Sequence, residues 1–296
     1  MVPPLGTPSR RTVVTAVIAL VAGIAHAAGV VALVGRLDYP VDALANAPAG
    51  RAGAVVGLVT VVAVPVAVAL WFRIVSPLVV VAASVVWPVY LTATTPPPTF
   101  SRLGGYTVVE GPRFVDAYVD AWYVWLFVAL LVGLAEAVIR LDVTRLPTPV
   151  HATRLRRWLG PGQPAARRTA AVCGGSHAAV FLLLAADWAY FVPGGYLPSP
   201  WYVGLAVLVW TVVGLAVVGG VGPYLLVGRR LVVPTLAFAW LVRQVGWAQN
   251  MPLPDDPLPI YFVGWPVFAG AFLLVGVVEY ALRRLGRWGW TVLTRE

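Results

Sequence analysis

The chain has too little charge to be a soluble globule. Asp, Glu, Lys and Arg together make up 11% of 296 residues, against roughly a quarter in a soluble domain. That is not enough to coat a solvated surface. Lysine is absent, so all 21 basic residues are arginines, and there are only three histidines. The one cysteine, Cys173, sits in an apolar run. A single thiol excludes an intrachain disulfide and a cysteine metal cluster, and its expected role is a small buried side chain. There is no phosphate-binding P-loop, no HExxH zinc motif, no GxSxG elbow and no dinucleotide fingerprint. Gly174-Gly175-Ser176-His177 does not replace them. A serine and a histidine adjacent in sequence diverge around a helix instead of meeting.

What is abundant is apolar. Hydrophobic residues make up 60% of the chain and the mean hydropathy is +0.84. Uncharged apolar runs of about 18 residues or more read as membrane spans. Each must be a helix, because hydrocarbon offers the backbone no hydrogen-bond partners. Eight spans are expected, at residues 12–35, 52–72, 74–92, 119–139, 170–192, 201–227, 231–247 and 260–282. The expected fold class is all-α integral membrane, with eight transmembrane helices as two tandem, parallel four-helix repeats. Residues 1–140 hold the first repeat and 141–169 form a basic cytoplasmic linker. Residues 170–296 hold the second repeat and a short basic tail.

The net charge of +9 and the pI near 10.2 are a matter of topology, not of nucleic-acid binding. Sixteen arginines fall in one set of alternate loops, four in the other, and Arg243 lies inside a span. That is the positive-inside pattern and puts both termini in the cytoplasm. The Arg-only, Val/Ala/Gly-rich composition suggests a prokaryotic cell membrane. In the linker, Arg154, Arg156 and Arg157 beside Trp158 suit an interfacial segment on anionic lipid. A solvated basic linker is the alternative. Ser9-Arg10-Arg11 with Ala25-His26-Ala27 resembles a twin-arginine export signal. The apolar run continues past that cleavage site, as a span does, so cleavage is not expected.

Three patterns recur in order in both halves. Gly23-x-x-His26-Ala27-Ala28 matches Gly174-x-x-His177-Ala178-Ala179. Arg73-Ile74-Val75-x-Pro77 matches Arg230-Leu231-Val232-x-Pro234. Leu131-Val132-Gly133-x-x-Glu136-x-x-x-Arg140 matches Leu274-Val275-Gly276-x-x-Glu279-x-x-x-Arg283. The matched His, Glu and Arg are rare types here, which chance Val/Ala similarity cannot supply.

Four sets of residues are candidates for function. Glu136–Arg140 and Glu279–Arg283 are i,i+4 pairs at cytoplasmic helix ends. They read as interfacial ion pairs with snorkelling arginines, or as carboxylates at a cytoplasmic gate. Pro65 and the Gly222-Pro223 step are candidate helix breaks, the feature that marks binding sites in duplicated transporters. His26 and His177 have small neighbours and could ligate a b-type haem. Packing between helices is the plainer alternative. Asp187, Arg243 and Gln244 form a candidate polar site, because an arginine within a span needs a partner.

An eight-span tandem of four-helix units is similar in outline to the haem A synthases. That family carries its haem histidines on even-numbered spans, whereas His26 and His177 fall on spans one and five. The leading expectation is a small-solute permease or the membrane subunit of a transport system. It would work in the lipid bilayer, without nucleic acid, with a separate energy-coupling or redox partner and no resident cofactor. A haem-binding electron-transfer or haem-handling protein is the second expectation, and a non-catalytic membrane assembly protein the third.

Overall fold

A backbone that cannot lean on water must satisfy its own hydrogen bonds, and the helix does so within one segment. The computed structural model describes residues 9–37, 41, 44, 48–103, 106–142, 152–160, 162–186, 201–248 and 257–293. These residues are helical apart from one β-hairpin and the turns. They divide into two compact units, the first chiefly Met1–Gly133, the second chiefly Leu134–Gln249 and Leu253–Glu296.

The first unit opens with α1 (Arg10–Val34), whose N-terminus is capped by the Ser9 side chain accepting from the Thr12 N–H at 3.2 Å. Its 25 residues reach about 37 Å, longer than the roughly 30 Å hydrocarbon core. α2 (Pro48–Phe72) returns antiparallel against α1. A Cβ on Gly23 would collide with the Val59 carbonyl oxygen, so glycine lets these two backbones approach. α2 stops at Arg73, which holds a left-handed φ of 59°. α3 (Ser76–Thr94) follows with Pro77 in its first turn, where a missing N–H costs nothing. Strands β1 (Thr99–Leu103) and β2 (Tyr106–Glu110) pair antiparallel, Thr99 against Glu110 and Leu103 against Tyr106. This hairpin was not expected from the sequence. The short α4 (Phe114–Asp120) leads into α5 (Trp122–Asp142), which passes into the second unit at Leu134, and Trp122 packs where a side chain on Gly57 would stand.

In the second unit a basic helix, α6 (Ala152–Leu159), precedes α7 (Gln163–Ala186). Then come α8 (Trp201–Arg229), α9 (Val233–Ala248), the short α10 (Pro257–Val263) and α11 (Trp265–Leu293). The local solutions of the first unit reappear. Gly174 lies against the Ala216 carbonyl, and Trp265 packs where a side chain on Gly214 would stand. Arg230 turns the chain between α8 and α9 with φ 60°.

Among the described residues, six helices are long and apolar enough to cross a membrane: Arg10–Val34, Gly50–Phe72, Ser76–Thr94, Trp122–Asp142, Tyr202–Arg229 and Trp265–Leu285. Their outward faces are apolar too. Val21, Val56, Val267 and Leu274 are each more than half exposed, which suits lipid and not water. Of the other two expected spans, residues 170–186 and 233–247 are helical, and 187–192 lie outside the described residues. α7 is 24 residues long but carries Arg167 and Arg168 in its first turns. α9 has 16 residues, about 24 Å, and contains Arg243.

Candidate functional site

Two histidine–tyrosine pairs stand out, one in each unit. His26 lies in the second half of α1, and its Nε2 is 2.9 Å from the Tyr118 hydroxyl on α4, with the rings edge-on. His177 lies on α7, and its Nε2 is 2.9 Å from the Tyr261 hydroxyl on α10. The His177 Nδ1 donates to the Leu215 carbonyl at 2.6 Å, because a carbonyl can only accept. That fixes the tautomer: Nε2 carries the lone pair and Tyr261 donates to it. His177 is fully buried, edge-on to Phe181, Phe238 and Tyr261. A side chain on Gly219 would collide with its ring.

His26 is only partly buried. Beside it is a half-open cavity of about 270 Å³ walled by α1, α3 and α4, with Val30, Val85, Pro88 and Val115 among its lining residues. His26 and Tyr118 are its only polar side chains among the described residues. Burial pushes the Tyr118 hydroxyl above its usual range, so it stays protonated and able to donate at neutral pH.

The Glu–Arg pairs form as ion pairs, Arg140 with Glu136 and Arg283 with Glu279. Both pairs lie in the second unit, and the Glu279–Arg283 pair also does a backbone task. Glu279 accepts from the N–H groups of Val232 and Val233, at 3.0 and 2.9 Å. Those are orphan donors at the start of α9. Arg283 donates to the Arg230 carbonyl at 2.8 Å. Arg230 in turn pairs with Asp142 at 2.9 Å and donates to the Leu159 carbonyl at 3.1 Å. Carboxylate and guanidinium together clamp the left-handed turn.

Pro65 and Pro223 depart from the expected helix breaks: α2 and α8 run through them without interruption. A membrane helix continues past a proline because neighbouring segments and small local adjustments re-satisfy the freed carbonyl. Gly222 lies against the backbone of Pro234 and Thr235, where it serves close packing. Arg243 donates to the adjacent Gln244 at 3.2 Å. Its expected partner Asp187 lies outside the described residues.

Tyr118 and Tyr261 were missed as the partners of the histidines. The signal was present. Tyr118 precedes Trp122 by four residues and Glu136 by eighteen, and Tyr261 precedes Trp265 and Glu279 by the same spacings. No protein-family model matches the chain, and neither do any curated protein or solved structure.

Proposed function

We propose that this is an eight-span membrane protein of two tandem four-helix repeats, acting as a small-solute permease or the membrane subunit of a transport system. One observation carries the reading: the two units solve the same local problems with corresponding residues. Arg73 and Arg230 hold the same left-handed turn. Gly23 and Gly174 each meet a carbonyl on the next long helix, and Gly57 and Gly214 each receive a tryptophan. Each unit hydrogen-bonds a histidine to a tyrosine. Tandem repeats of membrane helices are a recurrent transporter architecture. A prokaryotic cell membrane with both termini cytoplasmic fits the arginine distribution.

Transport is tested by incubating proteoliposomes and empty liposomes with a labelled metabolite extract and identifying by mass spectrometry what accumulates. Enrichment of particular solutes, lost in Arg243→Ala, is expected. Contents equal to those of empty liposomes would contradict transport.

The haem reading needs a free nitrogen on both imidazoles, whereas His177 has both engaged. An absorption spectrum before and after dithionite separates the two readings. A Soret band that shifts on reduction would displace transport.

A further inference from the structure

The two histidine–tyrosine pairs differ in a way that the packing of a membrane helix does not require. In the second unit the imidazole is saturated: Nδ1 is bound to Leu215, Nε2 to Tyr261, and three aromatic rings close around it. In the first unit, Tyr118 is the only hydrogen-bond partner of His26 among the described residues. Its second ring nitrogen has none there, and the ring lines a cavity. An imidazole nitrogen left unsatisfied in an apolar environment is costly.

The space follows from side-chain volume. At the repeat offsets set by the histidine and arginine motifs, Phe181 corresponds to Val30 and Phe238 to Val81. Both phenylalanines are fully buried against His177. Where the second unit fills its centre with aromatic rings, the first has two valines: Val81 is buried, and Val30 lines the open volume of about 270 Å³. This comparison of copies rests on the tandem-repeat reading; the cavity itself does not.

We infer that the cavity between His26 and Tyr118 binds a small, neutral, largely apolar molecule bearing a hydroxyl or carbonyl, taken up from the bilayer. The walls carry no charged residue among those described, so an ion would find no countercharge. The volume is near the lower end of the roughly 300–1,000 Å³ of ligand pockets. It holds roughly nine water-sized groups at ~30 Å³ each. A neutral imidazole offers one donor and one acceptor. With the proton on Nδ1, Tyr118 donates to Nε2, and Nδ1–H serves a ligand oxygen. With the proton on Nε2, that N–H donates to Tyr118 and Nδ1 accepts from a ligand hydroxyl. A hydroxyl is served by either tautomer and a carbonyl by the first. The second unit is then the closed copy, with His177 in a packing role.

The scarcity of histidine makes the test direct, because the chain has only three. Full-length protein labelled with ¹⁵N-histidine is placed in lipid nanodiscs and titrated with 1-octanol, 2-octanone or n-octane. Octanol and octanone are expected to shift the His26 ring signals saturably and leave His177 unmoved, while octane does neither. Val30→Phe imitates the filled copy and should abolish the shift. Gly29→Leu tests the same point from a wall position where an added Cβ meets nothing within 4 Å. Helical circular dichroism and a melting temperature at the wild-type values report that each variant is folded. A His26 response that is absent, linear in ligand, or equal to that of His177 overturns the site. So does an equal response to octane, or binding that survives both filling variants. Because this is a binding measurement, it can succeed or fail independently of solute uptake.

Discussion

At the scale of single residues, the two tyrosines are the sharpest test of the difference between the units. Tyr261→Phe deletes the hydroxyl that donates to a fully buried His177 nitrogen. Leaving that acceptor unsatisfied should cost about 1–3 kcal/mol. Tyr118→Phe removes the matching bond to a partly buried His26 that borders open space, so its cost should be smaller. Thermal unfolding of both variants in one nanodisc preparation decides it, and equal losses would contradict the distinction. The histidines were legible in the sequence because their residue type is rare. Their partners were not, because the chain has eleven tyrosines and each bonded pair is 92 or 84 residues apart. Hydropathy registers burial but not which distant hydroxyl meets a ring. The phase of the Tyr–Trp–Glu spacing was the available clue.

At the scale of elements, the turns at Arg73 and Arg230 govern two helical hairpins. The Arg73 N–H also donates to the Ala69 carbonyl at 2.9 Å. Proline cannot reach positive φ and has no N–H, so Arg73→Pro should lower stability markedly. Arg73→Gly tolerates the left-handed backbone and should stay close to wild type. If proline were tolerated as well as glycine, as judged by yield and melting temperature, the turn would not be the constraint described. Glu279 supports the second turn through two N–H groups. Glu279→Ala should cost about 0.5–2 kcal/mol, the range for a helix cap, with Glu279→Gln in between because it keeps one acceptor oxygen. A melting temperature unchanged in the alanine variant would reduce the pair to a surface ion pair. The Arg-x-x-x-Pro recurrence located both turns in the sequence, but hydropathy could not reveal a left-handed backbone at an arginine. The hairpin at Thr99–Glu110 went unread for another reason. Its two strands flank Gly104-Gly105, a two-residue turn signal that span-length hydropathy does not register.

At the scale of the whole molecule, membrane residence follows from length, apolarity and the outward-facing valines and leucines of six helices. The number of crossings turns on α7 and α9, which the tandem reading needs as spans five and seven. The two counts predict opposite sides for the segment between α7 and α8. With eight crossings that segment is outside the cell. With six, where neither α7 nor α9 crosses, it is cytoplasmic. The most direct measurement replaces the native thiol by Cys173→Ala, introduces Ser199→Cys, and exposes intact cells to a membrane-impermeant maleimide. Labelling from outside without permeabilisation is the predicted result and supports two four-span repeats. Labelling only after the membrane is breached would contradict the tandem architecture and remove the main support for transport.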